Sequence, residues 1–285
     1  MIKRRRFLVQ FSTLLLGTSA CFSTQQQERG KLIIGLIAFD QGARSVEQYA
    51  RFNQILGEAT QSVVELEPTF NERQALEQIR KRAWSLVFAP PGIAAIAIDQ
   101  HQYIPLFPTL GQNQTRSVLV VREDHPAQSL SDLKSGVVAL GQVGSATGYY
   151  LPLYDLYGLT LAEIRFAGTP RTTLEWVAKG SVDVGALDKA EFDELRQEFS
   201  STQWRALHTS RPIPGGAVLL GPTVERNKQE QIMKAMNAVS PDIAEAAGYI
   251  PNARVPDYSY LIELIRRVQS IADRVGEQPV VLFES

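Results

Sequence analysis

The chain has 285 residues, 44% of them hydrophobic, enough to bury one large core or two ordinary ones. Its 29 basic and 30 acidic residues nearly balance, with no dense basic patch to mark a nucleic-acid surface. One cysteine excludes an intramolecular disulfide, and the scattered His101, His125 and His208 lack metal-ligand spacing.

The chain begins "MIKRRRFLVQFSTLLLGTSAC", with a basic start, an apolar middle and small residues before Cys21. Residues 1–20 therefore read as an export signal, too short and wrongly flanked for a stable spanning helix. A basic amphipathic helix is the other reading. "RRRFL" resembles a twin-arginine signal, with Lys3 where that motif carries Ser or Thr. "TSAC" resembles the lipobox of bacterial lipoproteins, with Thr18 in place of the usual Leu, which makes Cys21 the candidate for a lipid anchor to the membrane. Thr18 and Ala20 equally suit simple cleavage. Removing the first twenty residues leaves 25 basic against 30 acidic residues, about −5. Residues 21–30 form a polar tether.

From Lys31 short apolar runs alternate with helix-period segments. "KLIIGLIAF", "SVVELEP", "SLVFAP" and "YIPLFPTL" read as strands. Between them "SVEQYARFNQILGEAT", "NERQALEQIRKRA" and "GIAAIAIDQ" read as helices, the second capped by Asn71. The rhythm restarts after Arg116. "RSVLVVRED", "GVVALGQ", "EIRFAG", "VDVGALD" and "WRALHTSR" are strands, separated by the helical "SLSDLKS", "LPLYDLYG", "TTLEWVAKG" and "KAEFDELRQEFS". "AVLLGP" and three helices follow, the last with Leu261, Leu264, Ile265, Val268, Ile271 and Ala272 on one face. This βαβ alternation predicts an α/β fold of two lobes, each a mixed sheet flanked by helices. The expected lobes are residues 31–115 with 215–285, and residues 116–214, joined by two chain crossings.

Ligands in such sheets bind beyond the carboxyl ends of the strands. The suspect residues there are Asp40, Pro91 and Gly92, the turn Ser145, Ala146, Thr147, Gly148 and Tyr149, then Arg171 and Asp188. In "GQVGSATGYYLP" the glycines permit positive φ, and Ser145 and Thr147 can cap a helix or, with first-turn N–H groups around Thr147 to Tyr149, hold an anion. Arg171 at a helix start is either solvent-exposed or has its charge offset against the dipole by an anion or a carboxylate. Asp188 either caps the following helix or accepts a hydrogen bond from a monoprotonated oxyanion; Asp40 has the same two readings. No nucleophile elbow, P-loop lysine or dinucleotide fingerprint is present, and no base stands ready for Ser145, so no enzyme activity, cofactor or metal is expected.

"GLIAFD", "LVFAPPGIAAIA", "RSVLVVREDHPAQSLSDLKSGVVALGQVGSATGYYLP", "GSVDVGALDKAEFDEL" and "SRPIPGG" occur in an order that resembles the phosphonate, phosphate and phosphite solute-binding proteins of ABC transporters. The resemblance runs from Lys31 to about Asn237. It implies a type II periplasmic-binding fold that closes on a small oxyanion, with a permease and an ATPase as partners. The family's hydroxyl-rich turn falls on Ser145, Ala146, Thr147 and Gly148, one hydroxyl short. Its second-lobe histidine falls on Pro170, beside Arg171, and its aromatic residue ahead of "RSVLVV" falls on Thr115 or Arg116. A lipoprotein of the same fold that senses a small anion or carboxylate, without transport, is the competing expectation.

Overall fold

The computed structural model of the protein describes residues 30–37, 46–111 and 113–283. The expected signal, Cys21 and Asp40 lie outside them. Among the described residues no helix is long and apolar enough to cross a membrane.

The first unit is built from β1 (Gly30–Ile37), α1 (Ala50–Thr60), β2 (Ser62–Thr69), α2 (Glu72–Arg80), β3 (Leu86–Ala89), α3 (Pro91–His101) and β4 (Ile104–Pro108). The chain leaves it through β5 (Gln114–Thr115). The second unit holds β6 (Ser117–Arg122), β7 (Val137–Leu140), a π-turn (Ala146–Tyr150) continuing into α4 (Leu151–Asp155), β8 (Thr160–Leu161) and β9 (Glu163–Phe166). Next come α5 (Pro170–Ala178), β10 (Val184–Asp188), α6 (Lys189–Leu195) and β11 (Trp204–Thr209). The return runs through β12 (Ile213–Pro214), β13 (Ala217–Leu220), α7 (Arg226–Ala238), α8 (Pro241–Ala247), α9 (Ser259–Ala272) and β14 (Val280–Val281).

Two five-stranded mixed sheets result, in the orders β2-β1-β3-β13-β4 and β11-β6-β10-β7-β9. In each, one strand runs antiparallel to its neighbours: β13 against β3 and β4, β6 against β10 and β11. The remaining pairs of each sheet are parallel, as βαβ connections require. The four residues of β3, four of the five residues of β10 and the four of β13 are wholly buried, which is why these strands read as unbroken apolar runs. Where the chain crosses between units, β5 and β12 pair antiparallel, so the two crossings brace one another.

The sequence assigned all of residues 215–285 to the first unit, and here the structure differs. Val280–Val281 pairs with Thr160–Leu161 of the second unit, and Leu282 exchanges backbone hydrogen bonds with Gly158 and Leu159. Helix α9 packs on both α3 and α4, and Arg266 on it forms an ion pair with Asp99 of α3. The chain therefore crosses three times, and the apolar face of α9 joins the two units. "SLSDLKS" forms only a 3₁₀ turn, Leu130–Leu133, held by the reciprocal Ser129–Asp132 capping box.

Helix α3 is buried from Gly92 through Ala97, apolar on every side because it lies between the units. Its first turn meets the loop after β7 backbone to backbone. A β-carbon on Gly92 would lie 2.1 Å from the Gly144 carbonyl oxygen and 2.8 Å from the Ala146 nitrogen. Gly92→Ala therefore pushes this loop away from α3, and an overpacking cost of about 1–3 kcal/mol is expected. Thermal unfolding should show a midpoint lower by roughly 2–10 °C; an unchanged midpoint would contradict the contact.

Candidate ligand-binding cleft

Strand β7 ends at Leu140, and the chain turns back at once. The Gly141 N–H donates to the Gly148 carbonyl at 2.8 Å, and the Ser145 N–H to the Gln142 carbonyl at 3.0 Å. Gly144 holds φ at +110°, a region a side chain would strain. Ser145 caps the turn, its Oγ accepting the Gly148 N–H at 3.0 Å. The Ser145 carbonyl takes both the Tyr149 and the Tyr150 N–H, at 3.2 and 3.1 Å. The second of these bonds makes the turn a π-turn, a form often found at functional sites. The geometry thus uses up the amides of Gly148 to Tyr150. The amides of Ala146 and Thr147 have no acceptor among the described residues. Of the amides expected as donors at Thr147 to Tyr149, those of Gly148 and Tyr149 are used within the turn and only that of Thr147 is not. The loop is tied to β6 by the Ser117 hydroxyl, which donates to the Thr147 carbonyl at 2.5 Å.

This loop opens on a cleft of about 1030 Å³ between the two units, where the carboxyl ends of β1, β3, β7 and β10 converge. Of the residues singled out from sequence, Ser145, Ala146, Thr147, Gly148, Pro91 and Asp188 line it. Gly92 lies behind Pro91, against Gly144. Tyr149 does not reach the cleft. It is buried, with its ring 5.0 Å from that of Tyr150 and 6.1 Å from that of Phe166. Arg171 is also turned elsewhere, into a two-pronged ion pair with Glu198. The carboxylate that its helix-start position demanded comes from this chain and not from a ligand. Asp188 caps α6, one oxygen accepting the Ala190 N–H at 2.8 Å and the other the Thr115 hydroxyl. Both of its oxygens are engaged within the protein.

The sequence reading missed two other carboxyls of this cleft, Glu72 in the first turn of α2 and Glu191 in the first turn of α6. An acid in a first helical turn is so common that the pattern gave no sign of a cleft. Burial pushes the Glu72 carboxyl up to about 7. Glu191 is also pushed up to about 7, by burial and then by the negative charges of Asp188, Glu72 and Glu194. The Asp188 N–H donates to Glu191 and offsets part of this. Among the described residues no Lys, Arg or His lines the cleft, and no group of three or more acids, His or Cys is placed to hold a metal ion. Thr109, Thr115, Gln142, Thr169 and Thr173 add further polar groups to the wall.

Two α/β units around a cleft at their strand ends define the periplasmic-binding class of fold. Residues 34–256 match the family described as "ABC transporter, phosphonate, periplasmic substrate-binding protein", and the chain belongs to that family. Its fold is similar to that of XAC2383 from Xanthomonas citri, solved with ATP, at 22% identity and a TM-score of 0.69 over 85% of this chain and 98% of that one. It is likewise similar to PhnD1 from Prochlorococcus marinus in complex with methylphosphonate, at 18% identity and a TM-score of 0.65 over 85% and 99%. A binding-protein component of an ABC phosphonate transporter from Pseudomonas aeruginosa gives 15% identity and a TM-score of 0.64 over 86% and 89%. No curated protein sequence matches the chain.

The two raised carboxyls set a pH dependence. Their folded values, about 7, exceed the ordinary 4.5, so the folded state holds these protons more tightly than the unfolded one. The stability they contribute is complete below about 4.5, declines as pH rises, and is lost above about 7. Unfolding of the ligand-free protein from pH 5 to 8 should show this decline. Glu72→Gln and Glu191→Gln should flatten it and raise the midpoint at pH 8 by roughly 2–6 °C. Variants as pH-sensitive as the wild type would refute the assignment.

Proposed function

We propose that the protein is the extracytoplasmic solute-binding component of an ABC transporter and closes on an oxyanion head of the phosphonate or phosphate type. One lobe comprises residues 31–115 with 215 to about 257, and the other residues 116–214 with the C-terminal segment. The crossings at β5 and β12 act as the hinge. The observation that carries this reading is the Ser145-capped π-turn lining the cleft after β7, where the amides of Ala146 and Thr147 have no acceptor among the described residues and Thr147 adds a hydroxyl. Family membership and the methylphosphonate complex of a protein with the same fold support it.

The acids are compatible with an anion. Below about pH 7, Glu72 and Glu191 are mostly neutral and offer O–H donors, and each oxygen of Asp188 already accepts a hydrogen bond from the protein. Backbone amides and hydroxyls bind the head without any cation, and closure strengthens them by excluding water. Cys21, as a lipid anchor, would keep the protein at the membrane beside its permease and ATPase.

Thr147→Val keeps the shape and removes one donor. A charge-assisted hydrogen bond is worth about 1.5–3 kcal/mol, so affinity for the phosphonate or phosphate found by thermal-shift screening should fall roughly tenfold to a hundredfold by isothermal titration, with the fold intact. If Thr147→Val and Ser145→Ala both bind like the wild type, the turn is a helix cap and the reading fails. Labelling cells with a radioactive fatty acid should mark the wild type and leave Cys21→Ser unmarked; equal labelling would argue for simple cleavage.

A further inference from the structure

We infer that the solute is an organophosphonate or phosphate ester with a sizeable apolar substituent, whose body lies against Phe70 and Leu110 while its head sits at the Ser145–Thr147 turn. The inference rests on the proposed function for the head and adds the chemistry of the rest of the molecule.

Size is the first argument. A cleft of about 1030 Å³ is slightly larger than the roughly 300–1000 Å³ typical of pockets for drug-sized molecules, well beyond what an inorganic oxyanion fills. The second is the character of the wall facing the turn. On the first unit's side it is built from Leu36, Leu66, Pro68 and Phe88, with Phe70 and Leu110 added. Phe88 packs against Tyr49, which also lines the cleft, at 5.8 Å, and against Phe52 at 6.1 Å and Tyr249 at 6.3 Å between ring centroids, so this side of the cleft is backed by close aromatic packing.

The third argument is Phe70 itself. It stands immediately before the cap of α2, a position from which an apolar side chain usually folds back on the helix. Here Phe70 is 69% exposed, and Leu110 is 42% exposed. The backbone at Phe70 is nevertheless fixed: its N–H donates to Gln74 Oε1 at 3.2 Å, while Asn71 Oδ1 accepts the Gln74 N–H at 2.9 Å. A phenylalanine on an anchored backbone, exposed to water and lining the same cleft as the anion turn, is placed to cover an apolar group. Polar and apolar halves of the cleft then match the two halves of one ligand.

The test is isothermal titration of the full folded chain with methylphosphonate and phenylphosphonate, which share a head and differ in the body. Phenylphosphonate should bind at least tenfold more tightly. Phe70→Ala should reduce that ratio to about threefold or less, and Leu110→Ser should reduce it as well; both sites are exposed, and melting curves verify the fold. Methylphosphonate binding as tightly as phenylphosphonate, or a ratio unmoved in both variants, overturns the inference. Thr147→Val separates the two readings. If it weakens both ligands while Phe70→Ala leaves their ratio alone, the head site stands and the apolar site falls. If Phe70→Ala lowers phenylphosphonate affinity and Thr147→Val does nothing, the head site is wrong, and the inference, which places the head there, falls with it. Binding of neither compound overturns both.

Discussion

The backbone of Gly144 lies so near the first turn of α3 that no β-carbon fits at Gly92, and Gly144 itself is hemmed in by Glu72, Ile93 and Leu76. This contact seats a loop of the second unit directly on the first. It holds the Ser145 turn at the floor of the cleft and brings the Glu72 side chain to its wall. Packing of this kind leaves little freedom for small adjustments, because protein interiors are as dense as organic crystals. The Ser145 turn and the Glu72 side chain are therefore brought to one cleft by a glycine-mediated junction between the units.

The electrostatics follow from that placement. Asp188 ends β10 and caps α6, Glu191 is on α6 and Glu72 is on α2, yet the charge of Glu72 is felt at Glu191 across the cleft. Burial between the units makes ionisation costly for both glutamates. Below neutral pH these two glutamates of the cleft are mostly protonated and uncharged. The formal charge read from the sequence and the charge presented to the ligand are thus different quantities.

Much of the fold was legible because burial on both faces leaves an unmistakable signature. "SLVFAP" and "VDVGALD" enclose β3 and β10, and Asn71 and Ser145 cap as their positions suggested. What escaped depends on long-range partners. Arg171 was read as a ligand group because Glu198, 27 residues on, could not be placed beside it. Strands β5, β8, β12 and β14 have two residues each, too few to show a period, so the bracing of the crossings and the return of the C-terminus were invisible. The π-turn has no composition of its own. It arises when one carbonyl, that of Ser145, takes up two successive amides.

The order of strands in the first sheet has a bearing on how the chain reaches its folded state. Strand β13 is inserted between β3 and β4, although more than a hundred residues separate it from β3 in sequence. β8 likewise waits for β14, at the far end of the chain. A chain emerging from its N-terminus presents β3 and β4 with open edges until residue 220 has appeared. Pairings of such long separation form slowly, since loop closure precedes any gain. The first sheet of a nascent chain therefore stays incomplete until β13 is available, and β8 stays unpaired until β14 is.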